Sequence, residues 1–416
     1  MASRRRTPTA LTLAALVVLA ACSSPETANS TAAPTTAAPT TAAPTTTAQT
    51  EPPVAPEGDA FYLAPPGPPA NPGDLIWATP LASPPEGTKG WRVLYGSETV
   101  AGAPTAVSGL LFVPQTLPPG PLPILALAHG TTGLADRCAP SRTVLESRRS
   151  EVSSLPAEVL RTHVVVATDY EGLGTPGVHP YLVGLSEGRS VLDSIRLAQR
   201  FPAAGTTSSS PSIIVGHSQG GGAALVSAEI APTYAPDTNV RGVAAGAPAS
   251  ELKLVASALG KSPFFGFLFM TAAGFKASYP DVDLGAILTP AGIAGVTAAG
   301  EQCGSETVAA FAGKDAATFI KVDPSKLEPF ASILEENSPG ARPSPVPVLL
   351  YHGEADNLVP AALSKIVLDR YCSNGTTVSR KTYPGKGHSD VVAAARPDVT
   401  NFLADRLAGK PAPSSC

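Results

Sequence analysis

A serine set among glycines, in Gly216-His217-Ser218-Gln219-Gly220, is the residue of this chain best suited to covalent chemistry. A serine hydroxyl is a weak nucleophile until a base takes its proton, and that base needs a third group to orient it. Gly-x-Ser-x-Gly alone proves little. With 38 Gly in the chain, chance matches are a real risk, and Gly184-Leu185-Ser186-Glu187-Gly188 is a second one. Context separates the two. An apolar, strand-like run at 212–215 precedes Ser218, and the small residues from Gly220 to Ala224 open a helical pattern after it. This is the strand–turn–helix setting of a nucleophile elbow, where the helix N-terminus offers N–H groups to developing negative charge. Ser186 follows an apolar run too short for a central strand and precedes Glu187, which reads as a helix N-cap signal. Ser218 is the expected nucleophile and Ser186 a structural residue.

The partners of an elbow serine follow in the chain order serine, acid, histidine. Of the 6 histidines only His352 and His388 lie beyond Ser218. His352 ends an apolar run ahead of the acidic loop and comes too early, whereas His388 sits in a Gly-rich loop, 384–390, and is the expected base. The acid belongs at the end of the preceding strand, where loop 352–360 offers Glu354 and Asp356. Asp356 is favoured, with Glu354 the runner-up, and its role would be to hold the imidazole tautomer without accepting the proton. Asp169 also ends a strand-like run but precedes the serine, so it reads as a structural turn or pocket residue. An oxyanion hole needs two donors. One is the Gln219 backbone N–H; the other is expected from loop 129–133, with Thr131 favoured through its backbone N–H and its hydroxyl, and Thr132 close behind.

The elements that must carry these residues alternate along the chain. Strand-like runs lie at 91–95, 107–113, 123–128, 163–168, 212–215, 241–245, 347–351 and 377–382, with helical patterns at 186–201, 221–231 and 399–407. Near-continuous apolar strands alternating with helices indicate an α/β protein whose mostly parallel sheet is covered on both faces. One interval breaks the rhythm. Residues 248–345 hold only helix-like segments cut by Gly and Pro, too long for an ordinary crossover, and read as an inserted helical cap. The most aromatic stretch, PFFGFLFM at 263–270, falls inside it and suits a buried cap helix or an acyl-binding wall.

The chain opens with a basic start and an apolar run at 11–21, a lipoprotein-type signal peptide at 1–22 that is too short to span a bilayer as a mature helix. The run ends Leu-Ala-Ala-Cys22, which resembles a bacterial lipobox, so Cys22 is expected to be lipidated and to anchor an exported protein to the membrane. Residues 23–58, including 3 tandem Thr-Ala-Ala-Pro-Thr pentapeptides, carry too little apolar bulk to offset their ordering entropy and read as a disordered tether. The core is then expected at 59–247 and 346–416. A net charge of −4 gives no basic footprint for nucleic acid. With Cys22 set aside, Cys138, Cys303, Cys372 and Cys416 allow three disulfide connectivities, and the lack of any Cys-x-x-Cys argues against a metal site.

Several stretches together resemble the secretory lipases related to yeast lipase A, a group of α/β-hydrolases. They are HGTTGLADRCAPS (129–141), DYEGLG (169–174), a Gly-x-x-x-Leu-Asp-x-Ile-Arg helix (188–196), GHSQGG (216–221), HGEADNLVP (352–360) and GH (387–388). The resemblance implies the α/β-hydrolase fold with a cap, nucleophile Ser218, acid Asp356, base His388, and pairing of Cys138 with Cys303 and Cys372 with Cys416. Yeast members carry an Asp in the oxyanion loop where this chain has Thr131 and Thr132, so the resemblance carries over the backbone donor and leaves the side-chain one open. The activity so implied is that of a cofactor-free lipase or esterase acting on acylglycerols or related esters. The alternative is an envelope acyltransferase on the same fold. A binding protein on a degenerate fold is disfavoured, because serine, acid and base are all present in order.

Overall fold

A computed structural model of the chain describes residues 52–416 apart from 68, 148–151, 153–154 and 261. The signal peptide, Cys22 and the tether up to residue 51 lie outside the described residues. The strands among them are β1 (Leu75–Pro80), β2 (Thr88–Glu98), β3 (Pro104–Pro114), β4 (Ile124–Ala128), β5 (Val164–Thr168), β6 (Ser212–His217), β7 (Val240–Gly246), β8 (Val348–Gly353) and β9 (Val378–Tyr383). They form one 9-stranded sheet in the order β1-β2-β3-β5-β4-β6-β7-β8-β9. The first three strands and the β3–β5 pair run antiparallel, and every other pair is parallel.

The helices are α1 (Pro140–Ser147), α2 (Ala157–Thr162), α3 (Gly184–Arg200), α4 (Gln219–Tyr234), α5 (Leu252–Leu259), α6 (Gly266–Ser278), α7 (Pro290–Gly300), α8 (Gly304–Phe311), α9 (Phe330–Glu336), α10 (Ala362–Ser373) and α11 (Asp390–Leu407). β4 and β5 are buried at every position, as expected of parallel strands covered on both faces. Val191, Ile195 and Ala224 from α3 and α4 pack on one face, and Val159 of α2 with Leu403 of α11 on the other. The strand order reverses around β4. Ala128 at its end is in register with Gly216 of β6, so loop 129–133 and the Ser218 turn leave the sheet side by side. Open α/β sheets form their clefts at such a switch point.

Between β7 and β8 the described chain is helical, α5 to α9 with short 3-10 turns, and has its own aromatic core. Phe269 packs on Phe311 with ring centroids 4.5 Å apart, and Phe265 and Phe319 join them. Thr289 caps α7 by accepting from Gly292 N, and Pro290 follows at the first helical position, where its missing N–H costs nothing. The Cys138–Cys303 disulfide ties this segment to the loop after β4, and Cys372–Cys416 fastens the C-terminus to α10, the pairing that the resemblance implies.

Four local expectations are corrected. β1 was not anticipated: it is a half-exposed edge strand ending in Pro80, without the apolar run that marks the central strands. The tether ends before residue 58, since Ala78 N donates to Pro53 O and uses that open edge. α3 begins at Gly184, so Ser186 lies inside the helix and is not its N-cap. α11 begins at Asp390, nine residues ahead of the apolar pattern, because the helix carries Pro397 within it. No helix among the described residues is long and apolar enough to cross a membrane.

Candidate active site

Ser218 occupies the tight turn from β6 into α4 with φ 59° and ψ −121°, a conformation that a residue with a side chain rarely adopts. The turn closes only because its flanks are glycine. A Cβ on Gly216 would lie 2.0 Å from Gly220 O, and one on Gly220 would lie 1.8 Å from Ala128 O. The turn is also gripped by its backbone: Ser218 N donates to Gly246 O, and Ser218 O accepts from Gly222 N and Ala249 N. The side chain is thereby thrown out over the sheet's carboxyl edge.

His388, in the loop between β9 and α11, places Nε2 2.9 Å from Ser218 Oγ and Nδ1 2.7 Å from Asp356 Oδ2. With the carboxylate accepting at Nδ1, the tautomer is fixed and Nε2 is left to accept the serine proton. Asp356 follows β8 and is nearly buried. Its Oδ1 accepts from Leu358 N and Val359 N, each at 2.9 Å. Burial alone would raise its pKa, but hydrogen bonds from His352 and His388, with the attraction of the His388 charge and the loop amide, hold the carboxyl well below its ordinary range. The structure thus brings together Ser218, Asp356 and His388, and leaves the runner-up Glu354 outside, exposed and bonded to Thr382 Oγ1.

The remaining candidates have separate roles. Gln219 is the first residue of α4, so its backbone N–H is one of the helix's unpaired N-terminal donors beside Ser218. Thr131 and Thr132 line a cavity of about 270 Å³ with Ser218 and His388, walled on the other side by Val255, Leu259 and Phe267 of α5 and α6. The Thr131 hydroxyl lies 2.8 Å from Tyr181 OH, while Thr132 O accepts from Gly304 N. Ser186 is buried against Glu171, whose carboxylate accepts from it at 2.5 Å, with no imidazole as its partner. Asp169 follows β5 and is buried, accepting from Ser108 Oγ and from Ser141 N and Oγ; it is a structural tie. Among the described residues no group of His, Cys, Asp or Glu is assembled to hold a metal.

Three histidines set aside in the sequence bear on the site. His352 Nε2 lies 3.2 Å from Asp356 Oδ2, below the carboxylate. His217 Nε2 donates to the His388 carbonyl at 2.8 Å; burial first, and the neighbouring His388 second, lower its pKa to about 4, so the ring is neutral. His179 donates from Nδ1 to Glu171 O and accepts at Nε2 from the Gln219 side chain, whose other amide hydrogen goes to Glu187 Oε1. Their spacing carries a signal only for His352, four residues ahead of Asp356.

A mostly parallel sheet, a serine at a strained strand-to-helix turn, an imidazole on its hydroxyl and a carboxylate behind the imidazole define an α/β-hydrolase. The secretory lipase family model matches residues 144–415, and the chain belongs to that family, a group of lipase and esterase hydrolases. Its sequence is 29% identical over 347 residues to a secreted triacylglycerol lipase of Malassezia globosa, covering 78% of this chain and 74% of that protein. It is 26% identical over 386 residues to a probable inactive lipase of Mycobacterium tuberculosis, covering 86% and 84%. Candida antarctica lipase A in its closed state superposes with a TM-score of 0.71 at 19% identity, over 83% of this chain and 85% of that one, a likeness of fold.

Proposed function

We propose that this protein hydrolyses carboxylic esters of the acylglycerol kind through a Ser218–His388–Asp356 triad and a covalent acyl-enzyme. His388 Nε2 takes the Ser218 proton as Oγ bonds to the ester carbonyl carbon. The tetrahedral oxyanion is held by the Gln219 N–H and a donor from Thr131, and His388 returns the proton to the leaving alkoxide. Water repeats the sequence and releases the acid. The α5–α9 segment acts as a cap whose Val255, Leu259 and Phe267 receive the acyl or alcohol chain.

The observation that carries this reading is the continuous run from Ser218 Oγ through both His388 nitrogens to Asp356, with contacts of 2.9 and 2.7 Å. Family membership alone does not carry it, since one relative is described as a probable inactive lipase. The test is labelling of folded protein by a fluorophosphonate beside p-nitrophenyl ester hydrolysis. Wild type is expected to label and turn over, and Ser218→Ala to do neither. Activity that persists in purified Ser218→Ala would overturn the reading.

The reading extends to export, supported by the signal-peptide pattern at 1–22 and by secreted relatives, with Cys22 acylated and the stretch from 23 to about 51 as spacer. Incorporation of an alkyne-tagged palmitate in wild type, and its loss in Cys22→Ser, is the expected outcome; equal incorporation in both would refute the anchor.

A further inference from the structure

The triad leaves unexplained a group of polar side chains buried behind the oxyanion loop. Tyr181 is 4% exposed, Glu187 and Gln219 2% each, and His179 fully buried. His179 and Tyr181 sit on one short segment between β5 and α3, in which Leu182 adopts φ 59° and α6 presses close from above, while Glu187 lies in the first turn of α3 and Gln219 opens α4. A Cβ on Gly274 would lie 2.4 Å from Tyr181 N. Buried polar groups and a strained non-glycine residue both cost stability, so their concentration beside a reactive serine calls for a function.

Proton bookkeeping gives one. A phenol has a single proton to donate, and Thr131 Oγ1, at 2.8 Å, is the hydrogen-bond partner in place for the Tyr181 OH. If Thr131 donated to the phenol, the buried phenolic proton would be stranded, at the cost of an unmade hydrogen bond. The phenol therefore donates to Thr131 Oγ1, and the threonine proton is turned toward the cavity that Thr131 shares with Ser218. Burial holds the phenol well above its ordinary pKa, so it stays a neutral donor at working pH. The same segment also braces the other half of the hole. Leu182 N donates to Glu187 Oε1, the oxygen that accepts from the Gln219 side chain, and Gln219 carries the first oxyanion N–H.

We infer that Tyr181 is a positioning residue that holds and polarises the Thr131 hydroxyl as a side-chain donor to the oxyanion. The inference rests on Ser218 being the nucleophile. It gives this chain a third oxyanion donor.

The test compares Tyr181→Phe, which keeps the ring and its packing, with Thr131→Val, Thr131→Ser and the Tyr181→Phe/Thr131→Val double variant. Removal of an oxyanion donor costs about a hundredfold or more in kcat, and loss of its orienting partner is expected to cost about tenfold, with KM little changed. The same loss should appear in affinity for an alkyl trifluoromethyl ketone, whose hemiketal on serine places an oxyanion at the same point. Thr131→Ser should retain most of the activity, and the double variant should be no worse than Thr131→Val alone. Wild-type kcat and ketone affinity in Tyr181→Phe would overturn the inference. So would losses that multiply in the double variant, or a Thr131→Ser as impaired as Thr131→Val; if Tyr181→Phe does not fold, the two Thr131 variants decide. Fluorophosphonate labelling separates the two readings: wild type that fails to label sinks the triad itself, whereas labelled protein indifferent to Tyr181→Phe sinks only this step.

Discussion

His352 lies beneath Asp356, with its Nε2 3.2 Å from the same Oδ2 that accepts from His388 Nδ1. The His352 ring is fully buried, and its Nε2 also lies 2.8 Å from Val359 O, so one N–H spans the carbonyl and the carboxylate. Removing it frees one carboxylate oxygen to rotate and strands a buried carbonyl. His352→Ala should lower kcat about tenfold with KM unchanged, and lower stability by about 1–3 kcal/mol in denaturant unfolding. A kcat at the wild-type level would mean that the loop amides of Leu358 and Val359 suffice to hold Asp356.

Asp356 carries a second, sharper expectation. An asparagine there can keep the loop amide bonds while presenting an N–H to His388 Nδ1, which favours the wrong imidazole tautomer. Asp356→Asn should fold normally and lose about 10⁴-fold in kcat, the scale seen when a triad acid is replaced by its amide. Glu354→Gln, outside the site, should leave kcat as it was. If these two outcomes were exchanged, the acid would have to be reassigned to Glu354.

What the sequence made legible divides along physical lines. The central strands and Ser218 were readable because burial on both faces leaves continuous apolar runs, and because a reactive elbow leaves glycines where no Cβ fits. His388 and Asp356 came from chain order. β1 escaped because an edge strand need not be apolar, and the start of α11 was hidden by Pro397. The supporting shell of His217, His352, His179, Tyr181 and Glu187 was not legible. Its members meet through tertiary contacts across 40 residues for His179 and Gln219, and 171 for His217 and His388, and apart from the four-residue spacing of His352 and Asp356 no local pattern marks them.

The two disulfides should differ in weight. Cys138–Cys303 closes 165 residues and joins the helical segment to the oxyanion-side loop, whereas Cys372–Cys416 closes 44. Chain entropy assigns about 5 and about 4 kcal/mol as upper values. Cys138→Ser/Cys303→Ser should therefore lower Tm further than Cys372→Ser/Cys416→Ser, and it alone should reduce kcat, since the Gly133–Cys303 bridge adjoins Thr131 and Thr132. Equal activity in both variants would show that the loop holds its shape without the covalent tie.

Stability should fall as pH rises through neutrality, and Glu187 is the reason. Burial, only partly offset by hydrogen bonds from Gln219 and Leu182 N, lifts its carboxyl to about 8. Its folded pKa lies above the unfolded value, near 4.3, so the unfolded state gives up its proton first. The stability it contributes is complete in acid and is lost as pH climbs toward 8. Two histidines act in the opposite sense lower down. Burial depresses His179 to about 3 and His217 to about 4, so each costs stability as pH falls below about 6.5. Asp193, raised to about 6 by burial, and Asp169, Glu171, Glu229 and Glu251, raised by burial too, act in the same sense as Glu187, so its own share is the difference that Glu187→Gln makes between about 6.5 and 8. Urea midpoints measured across that window should decline more steeply in wild type than in Glu187→Gln, whose amide oxygen can still accept from Gln219 and Leu182. Parallel slopes in the two proteins would mean that Glu187 is ionised in the folded state and that the site tolerates a buried charge behind its oxyanion loop.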